Sequence, residues 1–160
     1  MQMRKPVNQT RLRQLVGGKV VEISFHQNET VTEADVDTMQ ALYLYTNRGE
    51  SWFAEVGNAK NRFAFPEEVV HDKVQWLAPN SMVDVLTYEE KPMTIKIPIK
   101  VELAVKDSPP AVKGNTVSGG SKIAELATGA KVSVPLFINT GDVIRINTDT
   151  GEYTERVEKA

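Results

Sequence analysis

Acid–base, nucleophilic and metal chemistry all require particular side chains within reach of one another, and this 160-residue chain offers few. Cysteine is absent, which excludes thiolate metal sites, cysteine nucleophiles and a disulfide framework, and fits a reducing compartment. His26 and His71 lie far apart and lack partners at ligand spacing. Glu67-Glu68 and Glu89-Glu90 are adjacent pairs. Neighbouring side chains diverge, so the first pair reads as a helix start and the second as a turn rather than as an acid and base working together. Gly119-Gly120 precedes a strand-like run without the lysine spacing of a phosphate loop, and Ser118 and Ser121 have no base nearby. The expectation is no enzyme, no metal and no cofactor.

The remaining chemistry is electrostatic. The net charge of −2 is unevenly laid out: up to residue 27 there are five bases (Arg4, Lys5, Arg11, Arg13, Lys19) against Glu22 alone, and over residues 28–57 there is Arg48 against six acids. This argues against a general nucleic-acid coat protein and leaves one basic patch at the front of the chain, an ordinary solvated face unless something else speaks for it. Arg145 alternates with Ile144 and Ile146 and should face solvent. There it could meet phosphate or merely solubilise a strand. Arg156 offers the same choice, and Tyr153 could equally be a core aromatic.

The elements that must position these residues are short strands. Arg11–Leu15 and Lys19–Phe25 flank Gly17-Gly18, and Leu42–Tyr45 and Ser51–Val56 flank Asn47-Arg48-Gly49, which predicts two hairpins. The acidic stretch Asn28–Asp37 should connect them. Phe65-Pro66-Glu67-Glu68 starts a short helix with Val70, Val74 and Leu77 on one face. Strand-like runs follow at Val83–Tyr88, Met93–Ile97, Ile99–Val105, Ile123–Ala127, Lys131–Ile138, Val143–Asn147 and Glu152–Val157. Pro92, Pro98 and Pro135 belong at edges, bulges or barrel corners because they cannot donate to a ladder. Asp107–Ser121, rich in Pro, Gly and Ser, is a linker or a functional loop. Regular short strands predict small barrels. With 41% hydrophobic and 7% aromatic residues their cores should be aliphatic, with Trp52 and Trp76 in packing roles. No apolar run approaches a membrane span, which reads as a soluble, cytoplasmic protein without an export signal.

Within this pattern Lys122, Ala124, Gly129, Val132, Val134, Pro135, Ile138 and Gly141 fall in the order and spacing of the signature of bacterial translation elongation factor P. The resemblance continues through Val143-Ile144-Arg145-Ile146, Asp149-Thr150-Gly151-Glu152-Tyr153 and Arg156. It reaches back through Val101–Thr116 and, more loosely, Arg11–Phe25. The elongation-factor-P-like paralogue is the nearest rival. The resemblance implies an all-β protein with a partial SH3-like N-terminal barrel followed by two oligonucleotide-binding (OB) barrels, here placed at residues 1–60, 61–114 and 115–160. Together such domains imitate the outline of tRNA.

The same resemblance implies a monomeric, non-catalytic factor that binds both ribosomal subunits beside the peptidyl-tRNA and stimulates peptide-bond formation at proline runs. In the family a loop preceding Arg11 reaches the peptidyl-transferase centre with a lysine, often modified, or an arginine. An ungapped alignment puts that tip at Met3, next to Arg4 and Lys5, and makes Met1 an internal methionine with the first barrel unclosed. Arg11 and Arg13 are expected at the tRNA acceptor arm, Arg145, Tyr153 and Arg156 on tRNA or ribosomal RNA, and Gly114, Asn115 and Thr116 at messenger RNA in the exit site. Asn115 departs from the family's usual Asp, which removes a charge and puts base preference in question. Glu90-Lys91-Pro92 replaces a Gly-containing turn. The alternatives are a β-barrel RNA- or ribosome-binding module without the elongation activity, and a stable two-barrel fragment with no partner.

Overall fold

The computed structural model describes residues 6–15, 19–110 and 120–160. Strands dominate throughout. Val7–Arg13 (β1) and Val20–His26 (β2) pair antiparallel as a two-stranded sheet, the hairpin that alternation around Gly17-Gly18 predicts.

The central unit is formed by Val36–Asn47 (β3), Glu50–Glu55 (β4), Asn58–Pro66 (β5), the helix Glu67–Val74 (α1), Met82–Tyr88 (β6) and Lys91–Lys96 (β7). Its five strands lie in the order β5-β4-β3-β6-β7. Lys100–Asp107 (β8), Ser121–Leu126 (β9), Lys131–Pro135 (β10), Val143–Asn147 (β11) and Glu152–Glu158 (β12) form the C-terminal sheet in the order β10-β9-β8-β11-β12. Both units therefore read third, second, first, fourth, fifth. This is one five-stranded barrel arrangement used twice, with a helix between the third and fourth strands only in the central copy. In the C-terminal unit β10 returns against β12, which brings the two edges of the sheet together.

The sheets divide the chain at other places than residues 60/61 and 114/115. The strand β5 runs through the first boundary, and the hairpin assigned to the N-terminal unit is β3–β4 of the central barrel. The lapse in alternation at Gly57–Asn61 is the end of the tight turn Val56-Gly57 and the start of β5, with Gly57 at φ 84° and a register shift beside it. Likewise β8 pairs with both β9 and β11, so Asp107–Ser121 connects neighbouring strands of one barrel. The chain passes from one barrel to the next through Ile97, Pro98 and Ile99 alone.

Each barrel has its own core. The C-terminal one is aliphatic as expected, with Leu126, Ile138, Ile144 and Ile146 fully buried. Each such side chain contributes roughly 1.5–3 kcal/mol through loss of apolar surface to solvent. The central core overturns the aliphatic expectation. Phe53 lies 5.6 Å from Tyr43, 5.6 Å from Phe65 and 5.9 Å from Phe63 between ring centroids. Alternation on β3, β4 and β5 concentrates the few aromatics on one inner face, so whole-chain composition misjudges that core. Beneath the rings, Tyr43 Oη, Thr46 Oγ1 and the buried Ser51 Oγ form a chain of hydrogen bonds at 2.9 and 2.8 Å.

The helix begins at Glu67 directly after Pro66, with acids in its first turn, and lays Val70 and Val74 onto the aromatic cluster. Trp76, just past its end, belongs to the other core. It packs among Leu103, Val105, Ile144 and Ile146, with its indole edge against Gly151. Ile97 touches both cores.

Candidate nucleic-acid interface

Of the expected RNA-contacting residues, Arg11 and Arg13 lie on β1. Residues opposite one another in the antiparallel register share a face. Arg11 faces Glu22, and Arg11 Nε donates to Glu22 Oε1 at 3.0 Å with both side chains largely in solvent. An exposed pair of this kind is worth well under 1 kcal/mol, so Arg11 remains available to a phosphate. Arg13 stands at the end of β1 and, with Gln14 and Leu15, lines a cavity of about 580 Å³. The other walls include Asp72 and Lys73 in the last turn of α1, Trp76 just past it, Thr94 and Lys96 on β7, and the turn Thr148–Gly151 between β11 and β12. Arg13 is thereby set near residues of all three units. Sequence reasoning passes over Lys73 and Lys96, because lone lysines on a helix and a strand look like ordinary solubilising residues.

Arg145 does face outwards from β11, as alternation requires, but it is held by partners on both neighbouring strands. Its Nη2 donates to Glu102 Oε1 on β8 at 2.7 Å and its Nη1 to Glu155 Oε1 on β12. The register places Glu102 and Glu155 directly opposite Arg145. The hydrogen bond to Glu102, followed by the charge of Glu155, raises the guanidinium pKa further above its already high value. The group is a cross-strand clamp in which one guanidinium faces two carboxylates, leaving an excess of negative charge.

Arg156 is also engaged. Its guanidinium sits 5.0 Å above the Phe137 ring and 3.5 Å from Asp142 Oδ2. Asp142 is fully buried. It accepts from the Ala160 N–H at 2.8 Å and the Asn139 N–H at 2.9 Å. These two hydrogen bonds, aided by the positive charge of Arg156, hold its carboxyl below the usual carboxylate range despite burial. In the sequence Gly141-Asp142 reads only as turn chemistry, and nothing local signals that the Asp points inwards. Tyr153 lies against the C-terminal core opposite Ile146, the core-aromatic option left open by alternation. The tip, Met3, Arg4 and Lys5, and the exit-site loop, Gly114, Asn115 and Thr116, fall outside the described residues.

The arrangement offers exposed or cavity-lining cations on the hairpin and at the junction, and stabilising ion pairs on the C-terminal barrel. Among the described residues no cluster of three or more His, Asp or Glu could hold a metal ion, and no helix is long and apolar enough to cross a membrane.

Residues 101–156 match the family model for the C-terminal domain of elongation factor P, a span that nearly coincides with β8 to β12. Similarity to whole relatives runs further. An elongation factor P from Thermodesulfovibrio yellowstonii is 37% identical over 159 residues, 99% of this chain and 84% of the relative. One from Fervidobacterium nodosum is 42% identical over 147 residues, 92% of this chain and 79% of the relative. One from Carboxydothermus hydrogenoformans is 39% identical over 152 residues, 95% and 82% respectively. Identity at this level along nearly the whole length, through both five-stranded barrels and the hairpin, establishes that the chain belongs to the elongation factor P family.

Proposed function

We infer that this chain is a translation elongation factor that binds the ribosome beside the peptidyl-tRNA and promotes peptide-bond formation where proline runs slow it. The observation that carries this reading is family membership along nearly the whole chain. The geometry supports a binding role: the described residues display cations on a hairpin and at a domain junction. The contribution to rate is positional. A factor that restricts a bound substrate lowers the entropic part of the barrier while the chemistry belongs to the ribosome. Met3, Arg4 and Lys5 are the proposed tip at the peptidyl-transferase centre, and Gly114, Asn115 and Thr116 the proposed contact with messenger RNA in the exit site.

Among the proposed RNA contacts, Arg11 and Arg13 have the stronger case. Arg145 and Arg156 already hold carboxylates, so pulling them onto a phosphate would leave Glu102, Glu155 or the buried Asp142 short of a partner. Their first role is to brace the C-terminal barrel, on which any RNA contact would depend.

The test is synthesis of a proline-run reporter in a reconstituted translation system lacking the factor. Addition of this chain should restore synthesis, and the double variant Arg11→Ala/Arg13→Ala should restore it less, with unchanged thermal stability. If the chain binds ribosomes yet leaves the stall untouched, the reading moves to a β-barrel ribosome-binding module without the elongation activity.

A further inference from the structure

The outer face of the central barrel carries groups that the proposed elongation role does not employ. The register sets Tyr45 on β3 directly opposite Trp52 on β4, and Trp52 opposite Ala64 on β5. A second row on the same face runs from Met82 through Leu42 and Ala54 to Arg62. The inner face of the same strands is the aromatic core, so Tyr45 and Trp52 point away from it. Tyr45 is 48% exposed and Trp52 half-buried. A bulge between Tyr43 and Tyr45 makes this possible: it inserts Leu44 into the ladder and turns Tyr45 outwards after the buried Tyr43.

Beside the two rings, Ala54 and Ala64 supply a low floor. Exposed Arg62 ends the second row, its Nε donating to the Ala59 carbonyl at 3.4 Å, and exposed Arg48 lies in the turn between β3 and β4. Glu50 is the acid in the adjoining row, and the Glu55 carboxylate is taken up by Asn61 Nδ2 at 2.7 Å. Partly exposed aromatic rings, a floor of small residues and nearby guanidinium groups suit a base lying on an aromatic with its phosphate beside it. The face spans the outer surface of the first three strands of a five-stranded barrel, and the surface of the second and third is where such barrels take up oligonucleotides.

We propose that the Tyr45–Trp52 face of the central barrel is a binding platform for single-stranded nucleic acid, stacking one or two bases and holding the backbone through Arg62 and Arg48. The site is distinct from the hairpin, the junction cavity and the C-terminal barrel, and stands whether or not the elongation reading holds.

The chain has only two tryptophans, and Trp76 is buried, so emission that responds to a stacked base reports on Trp52. The intact protein is titrated with a short oligouridylate, with the matching oligodeoxythymidylate and with duplex RNA, following tryptophan emission and the anisotropy of labelled strands. Saturable quenching by the single strands is expected, with weaker binding of the duplex. Trp52→Phe should abolish the quenching while keeping most of the affinity. Tyr45→Ser and Arg62→Gln should each lower affinity by about tenfold. Arg62→Gln should also reduce the dependence of log affinity on log salt by about 0.7, the value of one phosphate contact on a single strand. The proposal is overturned if single strands do not bind saturably, if duplex binds as tightly, or if Tyr45→Ser and Arg62→Gln leave affinity unchanged in proteins that melt like the parent. Quenching by an apolar peptide with no response to either oligonucleotide would also overturn it.

Discussion

Asp142 is a fully buried carboxylate that ties together the β10–β11 turn, the end of β12 and Arg156. Its carboxyl is lowered relative to the unfolded chain. The stabilisation from its charge is therefore complete above the unfolded value of 3.8 and is lost as pH falls through the lower folded value. Asp142→Asn should destabilise the protein by about 1–3 kcal/mol at neutral pH, as a buried charged acceptor with several donors does. It should also flatten the fall in stability below about pH 4; urea melts at stepped pH check both. A variant with the parent's full acid sensitivity would assign that sensitivity to other groups. Residues of this kind mark a limit of reading from sequence. The outward direction of Arg145 follows from alternation, since side chains on a strand switch faces at each residue. Its engagement does not, because Glu102 and Glu155 come from other strands whose register no local pattern fixes.

Among the elements, the β6–β7 hairpin is the least suited to its own backbone. Glu89 and Glu90 both adopt positive φ, 49° and 64°, as a primed two-residue turn requires. The left-handed region costs a residue with a Cβ about 1 kcal/mol. Glu90→Gly should then stabilise the protein by a few tenths to about 1 kcal/mol, read as a rise in melting temperature; a fall would mean that the side chain supports the turn by an unrecognised contact. The strands themselves were largely legible, because apolar alternation ended by Gly, Asn and Pro is a local signal. Pro135 shows the same legibility. It belongs where no ladder donor is needed, and it ends β10, a strand at one end of the sheet order. What alternation cannot say is which sheet a strand joins. The twelve residues of β3 pair with β4 along one half and with β6 along the other. The lapse at Gly57 therefore looked like a domain boundary when it is a turn inside a barrel. The tip and exit-site loops rest on family resemblance, and neither falls among the described residues.

At the scale of the whole molecule the decisive feature is the joint between the barrels. Trp76 leaves the helix of the central barrel and is buried in the C-terminal core, Ile97 packs on both cores, and Thr148 donates from its Oγ1 to the Pro98 carbonyl at 2.7 Å and from its N–H to the Ile99 carbonyl at 2.7 Å. Trp76 Nε1 is the one buried side-chain polar atom without a partner among the described residues. Packing of the indole evidently outweighs that loss. Trp76→Ala should cost about 3–5 kcal/mol and split one calorimetric transition into two, whereas Trp76→Phe should cost less and keep a single transition. A single transition for Trp76→Ala would show that Ile97 and Thr148 couple the barrels unaided. The joint also bears on how such a factor would spend its binding energy. Two barrels on a slack tether would have to be brought into line anew at each encounter, an entropic charge levied on every binding event. Side chains shared between two cores settle that charge once, when the chain folds. A loosened joint should accordingly show itself first as weaker effect per bound molecule, before any fault appears in either barrel alone.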